Sequence, residues 1–264
     1  MADIASNLQA VRERVAQEGA EAPPSPAVEG GGAGVAPASA RAGRSPQDVT
    51  LVAVAKTVPP GRVAEAIVAG MLEIGENRVQ EAREKREALG EELAGRARWH
   101  LVGTLQRNKA KYAVSLFDLI HSVDSLRLAE EVERRAAALP KVQDVLVEVN
   151  VGREAQKGGV APEDVLELLR AVSGMAHLRV RGLMVLPPLG SSPEESRPYF
   201  QALRALREEA RGAGLAGVRE LSMGMSADFE AAIEEGATLI RLGTALFGPR
   251  PARVSEMART GHAL

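Results

Sequence analysis

Lys56 ends the apolar run LVAVAKT at Leu51–Thr57, and an amine held at the end of a buried strand becomes a nucleophile toward carbonyl carbon once it is desolvated. The first five residues of that run are apolar and two are valine, the pattern of a strand buried on both faces, as in a parallel sheet. Taken alone, the heptapeptide favours the plainer reading of a surface lysine that opens a loop. Two later stretches shift that balance. SMGMSAD at 222–228 and RLGTALFG at 241–248 supply the hydroxyls of Ser222, Ser226 and Thr244, the glycines Gly224 and Gly243, and Arg241. Hydroxyls and the approachable backbone N–H groups beside glycine suit phosphate oxygens, and Ser226 stands where an N-cap would open a helix over 227–235. Each stretch by itself could be an ordinary turn.

These residues need a scaffold that brings strand ends together. From Asp48 onward apolar runs alternate with helical patterns, and strands are expected at 51–55, 71–74, 98–102, 117–121, 143–149, 178–184, 218–222 and 238–242. Helices are expected near 61–69, 77–89, 106–113, 125–138, 162–173, 195–212 and 227–235. Eight strand–helix units point to an α/β fold, a single (β/α)8 TIM barrel whose chemistry lies at the carboxyl ends of the strands. An open Rossmann-like sheet is the alternative, although no G-x-G-x-x-G follows the first strand. Lys56, Glu76, Asn77, His121, Ser222 to Ser226 and Arg241 to Thr244 should then gather at the mouth. In such barrels the loops after strands seven and eight often hold phosphate, which is where the two glycine-containing stretches fall.

Four segments follow from composition. Residues 1–18 read as an amphipathic helix, with Ile4, Leu8, Val11 and Val15 on one face; 19–47 as a flexible Pro/Gly/Ala-rich insertion; 48–250 as the barrel; and 251–264 as a tail. The glycine cluster at 30–34 follows no strand and lacks the Gly-Lys-Ser/Thr ending of a phosphate loop. With 33 basic against 35 acidic residues, the net charge of -2 makes no electrostatic case for nucleic acid. The absence of cysteine excludes thiolate chemistry and disulfides. The four histidines show no ligand spacing and read as structural or surface groups, and Glu76 is the lone acid of the expected mouth, which argues against hydrolysis by two carboxylates. No secretory leader or membrane span is apparent, so a cytoplasmic protein is expected, with a monomer as the provisional oligomeric state.

A strand-end lysine facing a phosphate site points to pyridoxal 5'-phosphate (PLP), an aldehyde carrying a phosphate and held as a Schiff base. Arg241, set against the pyridine nitrogen, would keep that nitrogen unprotonated and weaken the ring as an electron sink. At this point the chain resembles a known family. LVAVAKT, IGENRVQEA, WHLVGTLQRNK, HSVDS, VEVNVGREAQKGG, RGLMVLPP and LSMGMSADFEAAIEEGATLIRLGTALFG together look like the pyridoxal phosphate homeostasis proteins of the YggS/PROSC type, over about residues 48–248. The resemblance implies the barrel of the alanine racemase N-terminal type with an N-terminal helix, and a cofactor lysine at Lys56. It further implies Arg241 near the pyridine nitrogen, Gly243, Thr244 and Ser226 at the phosphate, Ser222 as a weaker ligand and Asn77 lining the cofactor. Two departures stand out: Ala55 where the family usually has serine, and the length of the 19–43 insertion. Ala55 should face away from Lys56 along a strand.

The same resemblance implies a carrier that manages PLP supply and amino-acid and keto-acid balance, with PLP-dependent apo-enzymes as recipients. The alternative is a PLP-dependent amino-acid racemase or related enzyme. Such a racemase needs a second base opposite the lysine, and Tyr112 and Tyr199 both fall in helical stretches.

Overall fold

The computed structural model describes residues 3–20 and 46–249, and the expected insertion beyond Ala20 and the expected tail lie outside them. Eight parallel strands close into a barrel in sequence order: β1 Thr50–Val54, β2 Glu73–Glu76, β3 Arg98–Leu101, β4 Leu119–Val123, β5 Gln143–Glu148, β6 Leu178–Met184, β7 Glu220–Met225 and β8 Leu239–Leu242. Pairing of β1 with β8, Val52 opposite Arg241, completes the closure and rules out an open sheet. After an N-terminal helix α1 (Ile4–Ala20), the helices are α2 Pro60–Val68, α3 Val79–Gly95, α4 Ala110–Leu116, α5 Leu126–Ala136, α6 Val165–Ser173, α7 Pro193–Gly212, α8 Phe229–Glu234 and α9 Thr244–Phe247. The break in α3 at Gly90, where φ is 75°, falls next to the expected helix end at 89.

The period-2 alternation of strands sorts side chains into two cores. Ala53, Ala55, Ile74 and Trp99 point outward and join the helices in the larger core, whereas Val52, Val54, Val102, Leu119, Leu146, Met184 and Leu239 fill the barrel. Helix α1 buries Ile4, Leu8, Val11 and Val15, the face its spacing predicts. It packs on α8 and α9, with Asn7 Nδ2 donating to the Leu246 carbonyl at 2.9 Å and the Arg14 guanidinium 4.6 Å above the Phe229 ring.

Three strands begin about two residues later than their apolar runs suggest. Met71, Phe117 and Val218 are buried, but they end the incoming connection and pack in the outer core before β2, β4 and β7 start. Hydrophobicity marks burial and does not separate a strand from the turn that feeds it. The slip matters for the site. It draws His121 and Ser222 from the expected rim into the barrel and places Glu76 in β2.

Candidate functional site

Lys56 follows β1 in a tight turn, in which the Val58 N–H donates to the Ala55 carbonyl at 2.9 Å. The next residue, Thr57, has a φ of 63°, left-handed backbone that costs a β-branched residue about 1–3 kcal/mol and persists only where surroundings enforce it. Enforcement comes from behind. Lys85 of α3 reaches under the strand end, its Nζ donating to the Ala55 carbonyl at 2.5 Å and to Glu76 Oε1 at 2.6 Å. Glu76 is therefore no mouth residue. It points outward, fully buried, and burial raises its carboxyl from 4.5 to about 7 against the pull of Lys85. Ala55, also fully buried in the outer core, lies on the opposite side of the strand from the barrel-filling row of Val52 and Val54.

Arg241 rises from the inward row of β8 and is 4% exposed. Its Nη1 donates to Ser222 Oγ at 2.6 Å and its Nη2 to the Val185 carbonyl at 2.9 Å, so the guanidinium is clamped from β7 and from the end of β6. Burial lowers its pKa to about 10, opposed by Asp228 and Glu148, and it stays cationic at neutral pH. Ser222, fully buried, stands behind Arg241 and also bonds His121 Nδ1 at 2.9 Å.

Ser226 does not cap α8. Asp228 holds the cap position and turns its Oδ1 to the Met225 N–H at 2.6 Å, because the chain bends at Gly224 and delays the helix to Phe229. Gly224 has a φ of 88°, and a Cβ there would lie 2.6 Å from that of Ala232. The Ser226 hydroxyl instead accepts from the backbone N–H groups of Gly243 and Ala245, both at 3.3 Å. Two N–H donors from the turn after β8 thus converge on one oxygen, at distances longer than a charged oxygen would set.

Six of the seven residues singled out from sequence, Lys56, Asn77, Ser226, Arg241, Gly243 and Thr244, line one cavity of about 390 Å³ at the carboxyl end of the barrel. Ser222 lies beneath it. Asn77 is held where Gly103 passes, since a Cβ on Gly103 would sit 2.4 Å from the Asn77 carbonyl oxygen. Lys157 also lines the cavity and was missed; its Nζ donates to the Leu186 and Pro187 carbonyls at 3.2 and 2.9 Å and pairs with Glu154 at 2.5 Å, tying the loop after β5 across the mouth. Its signal was its place in the glycine-containing loop that follows a strand. A wider cleft of about 560 Å³ lies alongside, with Asn77, Arg83, Lys109 and Tyr112 in its wall, while Tyr199 of α7 lies beside Gly152. Among the described residues no group of three or more acidic or histidine side chains could hold a metal ion, and no helix is long and apolar enough to cross a membrane.

A primary amine, a clamped guanidinium and converging N–H and hydroxyl donors around one cavity suit a small anionic aldehyde with an acceptor ring nitrogen. Comparison with known proteins gives the same direction. Residues 38–251 match the family model for the alanine racemase N-terminal domain. The pyridoxal phosphate homeostasis protein of Aquifex aeolicus is 48% identical over 211 residues, 80% of this chain and 91% of that protein. Its counterpart in Escherichia coli K12 is 37% identical over 258 residues, covering 95% of this chain and 98% of the other. Among solved structures, PipY of Synechococcus elongatus PCC7942 with PLP bound superposes with a TM-score of 0.75 at 36% identity, covering 93% of this chain and all of that one.

Proposed function

The chain belongs to the pyridoxal phosphate homeostasis proteins, within the alanine racemase N-terminal domain family, and we propose that it binds PLP at the barrel mouth as a Schiff base on Lys56. In this reading it serves intracellular vitamin B6 homeostasis and amino-acid and keto-acid balance, handing PLP to PLP-dependent apo-enzymes. The observation that carries the reading is the convergence of Lys56, Arg241, Ser226, Gly243 and Thr244 on one cavity. When bound, PLP supplies an aldehyde that condenses with an amine and a ring that accepts electron density.

The protein's own groups take distinct parts. Lys56 presents the amine, its turn fixed by the Lys85 bonds to Ala55 and Glu76. The N–H groups of Gly243 and Ala245, now shared by Ser226 Oγ, and the Ser226 and Thr244 hydroxyls offer donors to phosphate. Arg241 is a donor only, held by Ser222 and Val185, and it faces an acceptor nitrogen without giving up a proton. A ring nitrogen kept unprotonated in this way weakens the ring as an electron sink. Asn77 and Lys157 border the site from just after β2 and from the loop after β5.

Adding PLP to the cofactor-free protein should produce a visible band above that of free PLP and slow release on dialysis, with transfer to an apo-enzyme. D/L-alanine interconversion by the loaded protein separates the alternative: turnover well above that of free PLP would replace the carrier reading with a racemase. A protein that gains no band would refute the Schiff base.

A further inference from the structure

The inside of the barrel contains a polar thread that its apolar lining does not require. Glu73 Oε2 lies 2.6 Å from His100 Nε2; His100 Nδ1 lies 3.0 Å from His121 Nε2; His121 Nδ1 lies 2.9 Å from Ser222 Oγ; and Ser222 Oγ accepts from Arg241 Nη1 at 2.6 Å. His100, His121 and Ser222 are fully buried and Arg241 nearly so, while the Glu73 side chain keeps 22% of its surface in solvent at the opposite end of the barrel from the mouth. We propose that Glu73, His100, His121 and Ser222 form one hydrogen-bonded relay of fixed polarity that positions Arg241 from the closed end of the barrel.

The polarity follows from the ends of the chain. Glu73 as a carboxylate can only accept, so a neutral His100 carries its proton on Nε2 and accepts at Nδ1. His121 must then carry its proton on Nε2, donate it to His100 and accept at Nδ1. Ser222 Oγ therefore spends its own hydrogen on His121 Nδ1 while it accepts from Arg241, which can only donate. With both imidazoles neutral this is the one arrangement that satisfies all four bonds, and it links the Arg241 cation to the Glu73 anion.

A proton entering at Glu73 reverses this order. A doubly protonated His100 has to donate through Nδ1, so His121 must accept at Nε2 and move its own proton to Nδ1. Ser222 Oγ then accepts from both His121 and Arg241, and its hydrogen loses His121 as acceptor. His121 itself stays neutral, held well below its ordinary range by burial, then by His100 and Arg241. The other charged groups bearing on the thread are few. At the closed end they are Arg98, 3.5 Å from Glu73; Asp144, with Arg179 at 2.5 Å and Arg181 at 3.7 Å; and Glu220, 3.7 Å from Arg181. At the mouth they are Arg241, Asp228 and Glu148. Between the ends the walls are Val52, Leu119, Leu146, Met184 and Leu239.

This inference deepens the PLP reading by adding positioning residues for Arg241, yet its test needs no cofactor. Ring-15N-histidine spectra of the full cofactor-free chain, recorded across pH, report which nitrogen of each ring bears hydrogen. At high pH both His100 and His121 should be protonated on Nε2 alone. In any spectrum in which the His100 ring is doubly protonated, the His121 proton should lie on Nδ1 while that ring stays neutral. Glu73→Gln offers an amide donor as well as an acceptor, so the polarity is no longer fixed and both rings should show protonation on Nδ1 as well as on Nε2. PLP affinity should fall about fivefold to tenfold in Ser222→Ala and by a smaller factor in Glu73→Gln, which reaches Arg241 only through the thread. His121 protonated on Nδ1 at high pH, a doubly protonated His100 beside a His121 still protonated on Nε2, or rings that stay on Nε2 alone in Glu73→Gln would each overturn the relay. Relay spectra as described in a chain that takes up no PLP would leave the relay standing and refute the function proposed above.

Discussion

Glu148 gives the sharpest stability prediction. It ends β5 on the inward row, is 5% exposed, and its Oε2 has no hydrogen-bond partner among the described residues. Burial raises its carboxyl from the ordinary 4.5 to about 7, with Asp124 adding to the rise and Arg241 and Lys157 opposing it. The folded protein thus binds this proton more tightly than the unfolded chain does. The corresponding stability is fully present below pH 4.5 and is lost as pH climbs to about 7. At about 1.4 kcal/mol per pH unit the loss approaches about 3 kcal/mol by pH 8. Glu148→Gln keeps the shape and removes the charge, so the variant should exceed the wild type by about 2–3 kcal/mol at pH 8 and by less than about 1 kcal/mol at pH 5. Urea unfolding of the cofactor-free proteins at the two pH values measures both gaps. Equal gaps at pH 5 and pH 8, or a variant less stable than the wild type at pH 8, would refute the reasoning, the latter by showing that Glu148 is needed as a counter-charge for Arg241.

Two further substitutions probe the frame of the site. Lys85→Met leaves the fully buried Glu76 without its ion partner and frees the Ala55 carbonyl, and should cost about 3 kcal/mol or more in urea unfolding at pH 8 while slowing PLP uptake. Ser226→Ala removes the oxygen on which the Gly243 and Ala245 N–H groups converge; the cofactor-free protein should lose about 1 kcal/mol and PLP affinity should fall about tenfold by equilibrium dialysis.

The barrel was legible because buried parallel strands repeat a plain signal, and eight such signals alternating with amphipathic helices admit few architectures. Lys56, Gly243 and Thr244 were legible for the same reason, since each closes or follows an apolar run of clear length. Register was less legible. Phe117 and Val218 are as buried as strand residues, so β4 and β7 seemed to start early and His121 and Ser222 seemed to reach the rim. The place of Glu76 was misread through the same slip, because a shift of register changes which face a residue occupies. The thread from Glu73 to Arg241 joins β2, β3, β4, β7 and β8, and Ser222 meets His121 across 101 positions of sequence. No local pattern carries such a contact, and the histidines could be read only as structural or surface groups. Ser226 was placed in the right cavity for a different reason from the one that holds it there: its hydroxyl serves the turn after β8 and not the start of α8.

The central claim is the amine of Lys56, and borohydride reduction of the PLP-loaded protein followed by peptide mass mapping tests it most directly. Reduction fixes the carbon–nitrogen bond, and the cavity presents two lysines, Lys56 and Lys157, that could carry the label. The account predicts one pyridoxyl group on the peptide containing Lys56, absent in Lys56→Ala. A label on Lys157, or loaded protein that takes up no label at all, would contradict it.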